Sequence, residues 1–168
     1  MSIRVERNYL DIISLNDLSE IDKPSNNFDV RLVDPPDFQL NNFFYKQIGK
    51  KHRWRDRLTW DENQWIKYIN NSNVRTYILQ DNNNLAGYFE QIIDQKKLEC
   101  EIAYFGILQD YVGKRLGGYL LSYAIKKSFA VGANRVWVHT CSLDHKNALK
   151  NYLSRGMKIF KSEILNVN

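Results

Sequence analysis

The second half of the chain has the clearest pattern of apolar segments separated by polar turns. β-Branched and aromatic residues fill Val74–Gln80, Leu85–Ile93 and Leu98–Leu108. Polar turns separate these three segments, so the pattern predicts three consecutive strands. Apolar residues then recur every three to five positions from the glycines at 113–118 to Gly132, which is typical of an amphipathic helix.

The remaining C-terminal residues predict a strand, a helix and a last strand. Arg135–Thr140 is rich in valine, Asp144 is suited to cap a helix that runs to Arg155, and Met157–Ile164 reads as a strand. The predicted order of this half is β-β-β-α-β-α-β. Two β-loop-α-β units imply at least one parallel pair of strands in a sheet covered by helices.

The first third of the chain has a different pattern. Val5–Ser14 and Phe28–Val33 are predicted strands, and Asn41–Ile48 and Thr59–Asn70 have helix-compatible spacing. The densest basic run, Lys50–Arg57, lies between the two helices and is predicted to be a loop. The Arg53–Arg57 part of this run is a candidate for the mouth of a substrate site.

Composition narrows the class of protein. With 168 residues, 43% of them hydrophobic and 26% charged, residues 1–168 are expected to form one domain with its own core. No apolar run approaches the roughly 20 residues that span a bilayer, and the charged N-terminus does not resemble a signal peptide. The widely spaced Cys100 and Cys141 predict no metal site and fit a reducing cytoplasm.

The segment Tyr111–Gly118 is the most informative for chemistry. It follows a predicted strand, contains three glycines and opens a helix whose first N–H groups lack internal partners. Such a helix start favours a phosphate, and Lys114 and Arg115 add positive charge beside it. The spacing alone also fits an ordinary turn with two solvated cations, and it has neither the P-loop nor the Rossmann glycine pattern.

Two segments together resemble the GCN5-related N-acetyltransferases. Tyr111–Gly117 is similar to the loop of that family that binds the pyrophosphate of acetyl-CoA, usually Arg/Gln-x-x-Gly-x-Gly/Ala. Leu143–Leu149, with Tyr152 and Arg155–Met157, is similar to its closing helix, usually Asn-x-x-Ala-x-x-x-Tyr-x-x-x-Gly-Phe. The resemblance extends over roughly 101–160, and the two motifs in this order are more specific than either alone.

This resemblance implies an α/β (α+β) fold of the acyl-CoA N-acyltransferase type. A mixed central sheet of six to seven strands is flanked by helices, and its fourth and fifth strands, here Leu98–Leu108 and Arg135–Thr140, splay around acetyl-CoA. Acetyl-CoA is the co-substrate and no metal is needed. The implied cofactor-binding residues are Phe105, Gly106, Ile107, Val112, Gly113, Lys114, Arg115, Leu116, Gly117, Gly118 and Asn147.

Four positions depart from the family pattern. Val112 replaces Arg or Gln, Arg115 replaces Gly, His145 replaces Asn, and Met157 replaces Phe. A positive φ at Arg115 would strain the loop, whereas ordinary backbone there would leave its guanidinium free to pair with a phosphate of CoA. We expect the ordinary backbone.

The family mechanism implies direct attack of an amine on the thioester, which requires a proton acceptor. Glu101 is the first candidate base and His139 the second, although a salt-bridged carboxylate and an ordinary hydrogen-bonded histidine explain the same residues. Tyr152 matches the family tyrosine that protonates the leaving thiolate, and its alternative role is packing on the sheet.

These features predict an N-acetyltransferase that acts on a small-molecule or peptide amine, without a membrane partner. A sensor that binds an acyl-CoA without turnover is one alternative. The other is a nucleic-acid-binding protein that uses Lys50–Arg57 with Trp54 stacked on a base, which the net charge of only +5 disfavours. A homodimer is left open.

Overall fold

Seven strands form one mixed sheet in the computed structural model, which describes residues 1–168. The strands lie in the order β2-β3-β4-β5-β6-β1-β7. The elements in chain order are β1 (Ile3–Ile12), β2 (Phe28–Leu32), α1 (Phe38–His52), α2 (Glu62–Ile69), β3 (Val74–Asp81), β4 (Asn84–Asp94), β5 (Glu99–Ile107), α3 (Leu116–Ala130), β6 (Arg135–Cys141), α4 (Ala148–Ser154) and β7 (Lys158–Val167).

The predicted mixed sheet with a parallel pair is confirmed, and two local predictions are corrected. Helix α1 continues through Lys50–His52 and ends at Arg53, which adopts a left-handed conformation, so the first part of the basic run is helical. Asp144 does not cap α4, which begins at Ala148. Its carboxylate instead accepts hydrogen bonds from the Thr140 hydroxyl at 2.6 Å and the Cys141 N–H at 3.0 Å, and thereby closes the turn after β6.

Strand β1 lies inside the sheet although it is first in the chain. It pairs antiparallel with β6 over Arg7–Ile12 and with β7 over Ile3–Asp11. Because Val5, Leu10 and Ile12 are buried, hydrophobic burial accompanies the ladder hydrogen bonds on both edges of the strand. The N-terminal strand therefore joins the last strand of the chain to the rest of the sheet.

Strands β5 and β6 are parallel only where they begin. Glu99–Glu101 pairs with Arg135–Trp137, and the two strands separate beyond these residues. The register of β5 against β4 slips just there, leaving Ala103 without a partner between Ile102 and Tyr104. An extra residue bends a strand and increases its twist, which accounts for the separation at this point.

Hydrophobic clusters cover both faces of the sheet. Nineteen buried residues, among them Leu10, Phe89, Leu120 and Val138, pack between the sheet and α3. A smaller cluster of five, including Phe44 and Tyr88, lies under α1 on the opposite face. The gap between β5 and β6 is therefore bounded by α1 on one side of the sheet and by α3 and α4 on the other.

Candidate functional site

A cavity of about 610 Å³ occupies the gap between β5 and β6. Its walls come from β5, the loop before α3, α4, the end of α1 and the start of β1. From Ile102 onward, the edge of β5 that faces β6 has no partner strand. Its backbone N–H and C=O groups there require hydrogen-bond partners from elsewhere, which a ligand with amide groups would supply.

Ten of the eleven residues that the resemblance assigns to the cofactor line this cavity. They are Phe105, Gly106, Ile107, Val112, Gly113, Arg115, Leu116, Gly117, Gly118 and Asn147. The exception is Lys114, whose ammonium lies 5.2 Å from the centroid of the Tyr111 ring and does not reach the cavity wall. The structure thus brings the glycine loop and the open edge of β5 together at one site.

The backbone of the glycine loop shows why glycine is usual in it. Gly113 has φ 86° and Arg115 has φ 64°. The expectation of ordinary backbone at Arg115 is therefore wrong. A left-handed conformation costs an L-residue about 1–2 kcal/mol, because the β-carbon crowds the carbonyl oxygen that follows it. Arg115 immediately precedes α3 and makes no side-chain cap, so the N–H groups of the first helical turn keep their capacity to bind an anion.

Tyr152 lies beneath the open part of β5. Its side chain is only 7% exposed, lines the cavity, and has its ring centroid 6.3 Å from that of Phe105. Burial is the main cause that raises the pKa of Tyr152 above its ordinary value, and the charge of Asp144 adds to it. The hydroxyl therefore remains protonated at neutral pH and can act as a proton donor.

The two predicted bases occupy different places. His139, on β6, lines the cavity and is exposed to it, whereas Glu101, at the last paired position of β5, does not line it. Desolvation in the cavity wall, and then the charge of Arg7, lower the pKa of His139, so its imidazole is mostly neutral at pH 7. Burial raises the pKa of Glu101. The geometry therefore favours His139, and a role for Glu101 stays a prediction.

Two hydrogen bonds in the cavity wall join distant parts of the chain. The indole N–H of Trp54 donates to the Asp144 carboxylate at 3.3 Å, and Nδ1 of His52 lies 3.2 Å from the carbonyl oxygen of Leu143. These contacts hold the end of α1 against the loop between β6 and α4. Sequence reasoning did not detect this bridge, because its partners are about 90 residues apart and belong to no shared motif.

The predicted mouth loop contributes four of its five residues to the cavity wall, Arg53, Trp54, Arg55 and Asp56. The fifth, Arg57, is 6% exposed and turns into the protein, where its Nη1 pairs with the fully buried Glu90 at 2.9 Å. The Arg57 guanidinium also lies 4.1 Å and 4.2 Å from the ring centroids of Tyr68 and Tyr104. Because Tyr104 lines the cavity, this buried cluster supports its wall.

The basic run is therefore not a continuous surface for nucleic acid. Arg57 is enclosed with Glu90, and the Trp54 ring packs at 5.6 Å from Tyr45 and 5.0 Å from Tyr104. A tryptophan held in this way is not free to stack on a base.

Both cysteines are protonated at neutral pH. Burial raises the pKa of the Cys100 thiol to about 11 and also raises that of Cys141, which lines the cavity. A thiol rather than a thiolate is a poor nucleophile. No group of three or more His, Cys, Asp or Glu side chains has an arrangement that could hold a metal ion. No helix is long and apolar enough to cross a bilayer.

Solved structures share this fold at low sequence identity. A GCN5-related N-acetyltransferase from Kribbella flavida superposes with a TM-score of 0.66 and 14% identity over 96% of this chain and 56% of its own. One from Sphaerobacter thermophilus gives 0.70 and 12% over 99% of this chain and 51% of its own. This chain thus spans little more than half the length of these two proteins.

A third structure has nearly the same size as the matched region. It is an aminoglycoside acetyltransferase from an uncultured soil metagenomic sample, solved in complex with trehalose, with a TM-score of 0.66 and 14% identity over 79% of this chain and 90% of its own. A sequence search of curated proteins finds no match. At these identities the structural likeness shows the fold.

The sequence model of one family covers most of the site. It matches residues 38–157, which include β5, the glycine loop, α3, β6 and α4, and its description is the acetyltransferase (GNAT) family. The seven-stranded sheet with its open β5–β6 gap is the acyl-CoA N-acyltransferase-like fold that the resemblance implied. The chain belongs to the acetyltransferase (GNAT) family.

Proposed function

We propose that this chain is an N-acetyltransferase that transfers an acetyl group from acetyl-CoA directly to a primary amine. The observation that carries the proposal is the cavity at the β5–β6 gap, where an unpaired strand edge meets the free N-terminus of α3. An unpaired edge suits the amide groups of pantetheine, and the helix N-terminus suits the phosphates of CoA.

The proposed reaction forms one bond, breaks another and moves two protons. The amine nitrogen forms a bond to the thioester carbonyl carbon, the carbon–sulfur bond breaks, and the sulfur leaves as CoA thiolate. The thiolate takes the proton of the Tyr152 hydroxyl, and the attacking nitrogen gives its proton to His139. Tyr152 then regains a proton from solvent and His139 releases one, so that the net products are the amide and the free CoA thiol. What supports these roles is that both side chains line the cavity, while the pKa shifts keep Tyr152 protonated and His139 neutral at pH 7.

Binding and turnover test the proposal separately. Acetyl-CoA at 100 times its dissociation constant should stabilise the folded chain by roughly 2.7 kcal/mol, measured as a rise in Tm and checked by calorimetry. Release of free CoA thiol is then followed with a panel of amines. The panel includes amino acids, polyamines, peptides and an aminoglycoside, the last because one structure of this fold is an aminoglycoside acetyltransferase.

The outcomes distinguish the proposal from its alternatives. Thiol release that depends on both acetyl-CoA and one class of amine supports it. Tight binding of acetyl-CoA with no release for any amine would identify a sensor instead. The absence of both a binding heat and a Tm shift with millimolar CoA would refute the proposal. A location in the cytoplasm stays a prediction, and a homodimer is left open.

A further inference from the structure

Arg155 is a cavity residue whose side chain has no role in the contacts described above. It directly follows α4, and its backbone is held at both ends. Its N–H donates to the Asn151 carbonyl at 3.0 Å, and its carbonyl accepts from the Ser19 N–H at 2.9 Å. These hydrogen bonds do not involve the side chain, so position 155 keeps its place in the fold when the side chain is changed.

The guanidinium of Arg155 lies against the first turn of α3. A β-carbon at Gly118 would be 2.5 Å from its Nη1, so the guanidinium occupies the space that any side chain at Gly118 would need. The Nε atom is buried without a hydrogen-bond partner. The side chain lines the same cavity as the glycine loop.

This placement is unfavourable for a cation in the absence of an anion. The N-terminus of α3 carries partial positive charge of its own, and its first turn has no side-chain cap. Burial lowers the pKa of the Arg155 guanidinium, and no carboxylate contributes an opposing effect. A buried donor without a partner beside a second positive group is stabilised when a negative ligand binds between them.

The glycine loop itself offers few charged donors for such a ligand. Val112 is apolar, and Lys114 lies over the Tyr111 ring, outside the cavity wall. Arg115 remains as the loop's only cation on the wall, and Arg155, directly after α4, adds a second one beside Gly118.

We propose that Arg155 binds a phosphate group of CoA together with the N-terminal turn of α3. This inference rests on the proposed function, because it names a binding residue for the same co-substrate. Its planar guanidinium can donate two parallel hydrogen bonds to a phosphate.

Calorimetry on the full chain tests the assignment. Arg155→Gln should weaken CoA binding about 10- to 100-fold, the range expected for loss of hydrogen bonds to a charged group. The CoA affinity of Arg155→Lys should fall between those of Arg155→Gln and the wild type, because lysine keeps the charge but not the bidentate geometry. Arg4→Gln is the matched control: it removes the same charge from an exposed site on β1 outside the cavity and should leave affinity unchanged.

A ligand series identifies which phosphate is bound. If Arg155 binds the 3′-phosphate, the difference between wild type and Arg155→Gln disappears with 3′-dephospho-CoA. If it binds the diphosphate, the difference persists with that ligand and disappears with pantetheine, which has no phosphate. Either pattern supports the proposal. An equal loss for pantetheine would contradict it, since a general distortion of the cavity would then be the cause.

Failure of this inference is distinguishable from failure of the proposed function. If the wild type binds CoA and Arg155→Gln binds it equally well, Arg155 is no ligand of phosphate, while the proposed function stands. If the wild type binds no CoA, both are overturned. If Arg155→Gln lowers the Tm of the free protein, the CoA affinity of Arg155→Lys is the deciding measurement. An affinity of Arg155→Lys equal to that of the wild type would then reject the assignment.

Discussion

The two sides of the cavity are built in different ways. One side, which we call the cofactor wall because the proposed function assigns acetyl-CoA to it, consists of Phe105–Ile107, the glycine loop at 112–118 and Tyr152, all from about 50 consecutive residues. The other side, the acceptor wall, consists of Arg7, His52–Asp56, His139 and Asp144, which come from four separate segments. The cofactor wall coincides with recognisable motifs, whereas Asp144 is the one residue of the acceptor wall that lies in a motif segment.

The difference reflects what each side must do. Under the proposed function, the phosphates and the pantetheine chain bind mainly to backbone groups, and a strand–loop–helix segment presents these groups through local geometry. Recognition of an amine depends on side chains, which only the tertiary fold brings together. The Trp54–Asp144 hydrogen bond, at 3.3 Å, is such a long-range contact. Changes to either wall therefore test whether this division of roles is correct.

The largest effect should come from the proton acceptor on the acceptor wall. His139→Gln is expected to lower kcat about 100- to 10,000-fold, while Glu101→Gln, outside the cavity, should lower it far less. Because the pKa of His139 lies below its ordinary 6.5, wild-type activity should be lost only as pH falls through that lowered value. The pH profile of kcat should lose this acidic limb in His139→Gln. A larger loss of kcat in Glu101→Gln than in His139→Gln would instead assign the role of base to Glu101, acting through a chain of waters.

The second test breaks the contact between the N-terminal segment and the end of α4. Gly156 has φ 104°, and a β-carbon there would overlap the backbone carbonyl of Asp17. Gly156→Ala should therefore destabilise the fold by about 3 kcal/mol or more, measured by urea unfolding.

Gly132→Ala is the matched control for this change. Gly132 has φ 106° but nothing within 4 Å of the added carbon, so only the dihedral cost of about 1–2 kcal/mol applies. Equal losses of unfolding free energy for the two variants would show that the overlap with Asp17 adds nothing to the destabilisation.

The third test concerns the cofactor wall. Tyr152→Phe keeps the buried ring and removes only the hydroxyl, so Tm and CoA affinity should change little. If the hydroxyl protonates the leaving thiolate, kcat should fall about 10- to 100-fold in single-turnover measurements, which isolate the chemical step. A rate within about twofold of the wild type would leave Tyr152 a packing residue.

The smallest effect should be a gain in stability. Arg115→Gly removes the strain of φ 64° and should stabilise the free protein by about 1 kcal/mol, a Tm rise of about 2–4 °C for a chain of this size. Arg115→Ala keeps the strain and provides the control. If glycine and alanine give the same Tm, the left-handed conformation carries no cost at this position.

The sequence by itself determined the order and type of the elements from residue 74 onward, and it predicted most of the residues that line the side of the cavity called the cofactor wall. Runs of β-branched and aromatic residues between polar turns predict β3 to β5, glycines mark the start and end of α3, and Tyr152 follows Ala148 by one helical turn. These features depend on contacts within a few residues, so they can be read along the chain. The bounds of α1 and the start of α4 were less accurate, because their ends are fixed by Arg53 in a left-handed conformation and by the hydrogen bonds of Asp144.

Only the tertiary structure decided where β1 lies, which base reaches the cavity and what Arg57 does. The sequence predicts a strand over Val5–Ser14 but not the place of β1 between β6 and β7, which long-range pairing sets. Glu101 lies outside the cavity and His139 lines it. Strand periodicity does not predict this difference, because it depends on where β5 and β6 separate. Arg57 belongs to a basic run in sequence, yet the buried charge of Glu90, 33 residues away, draws it into the core. Burial and ion pairing join residues that are distant in the chain, and no local pattern encodes such partners.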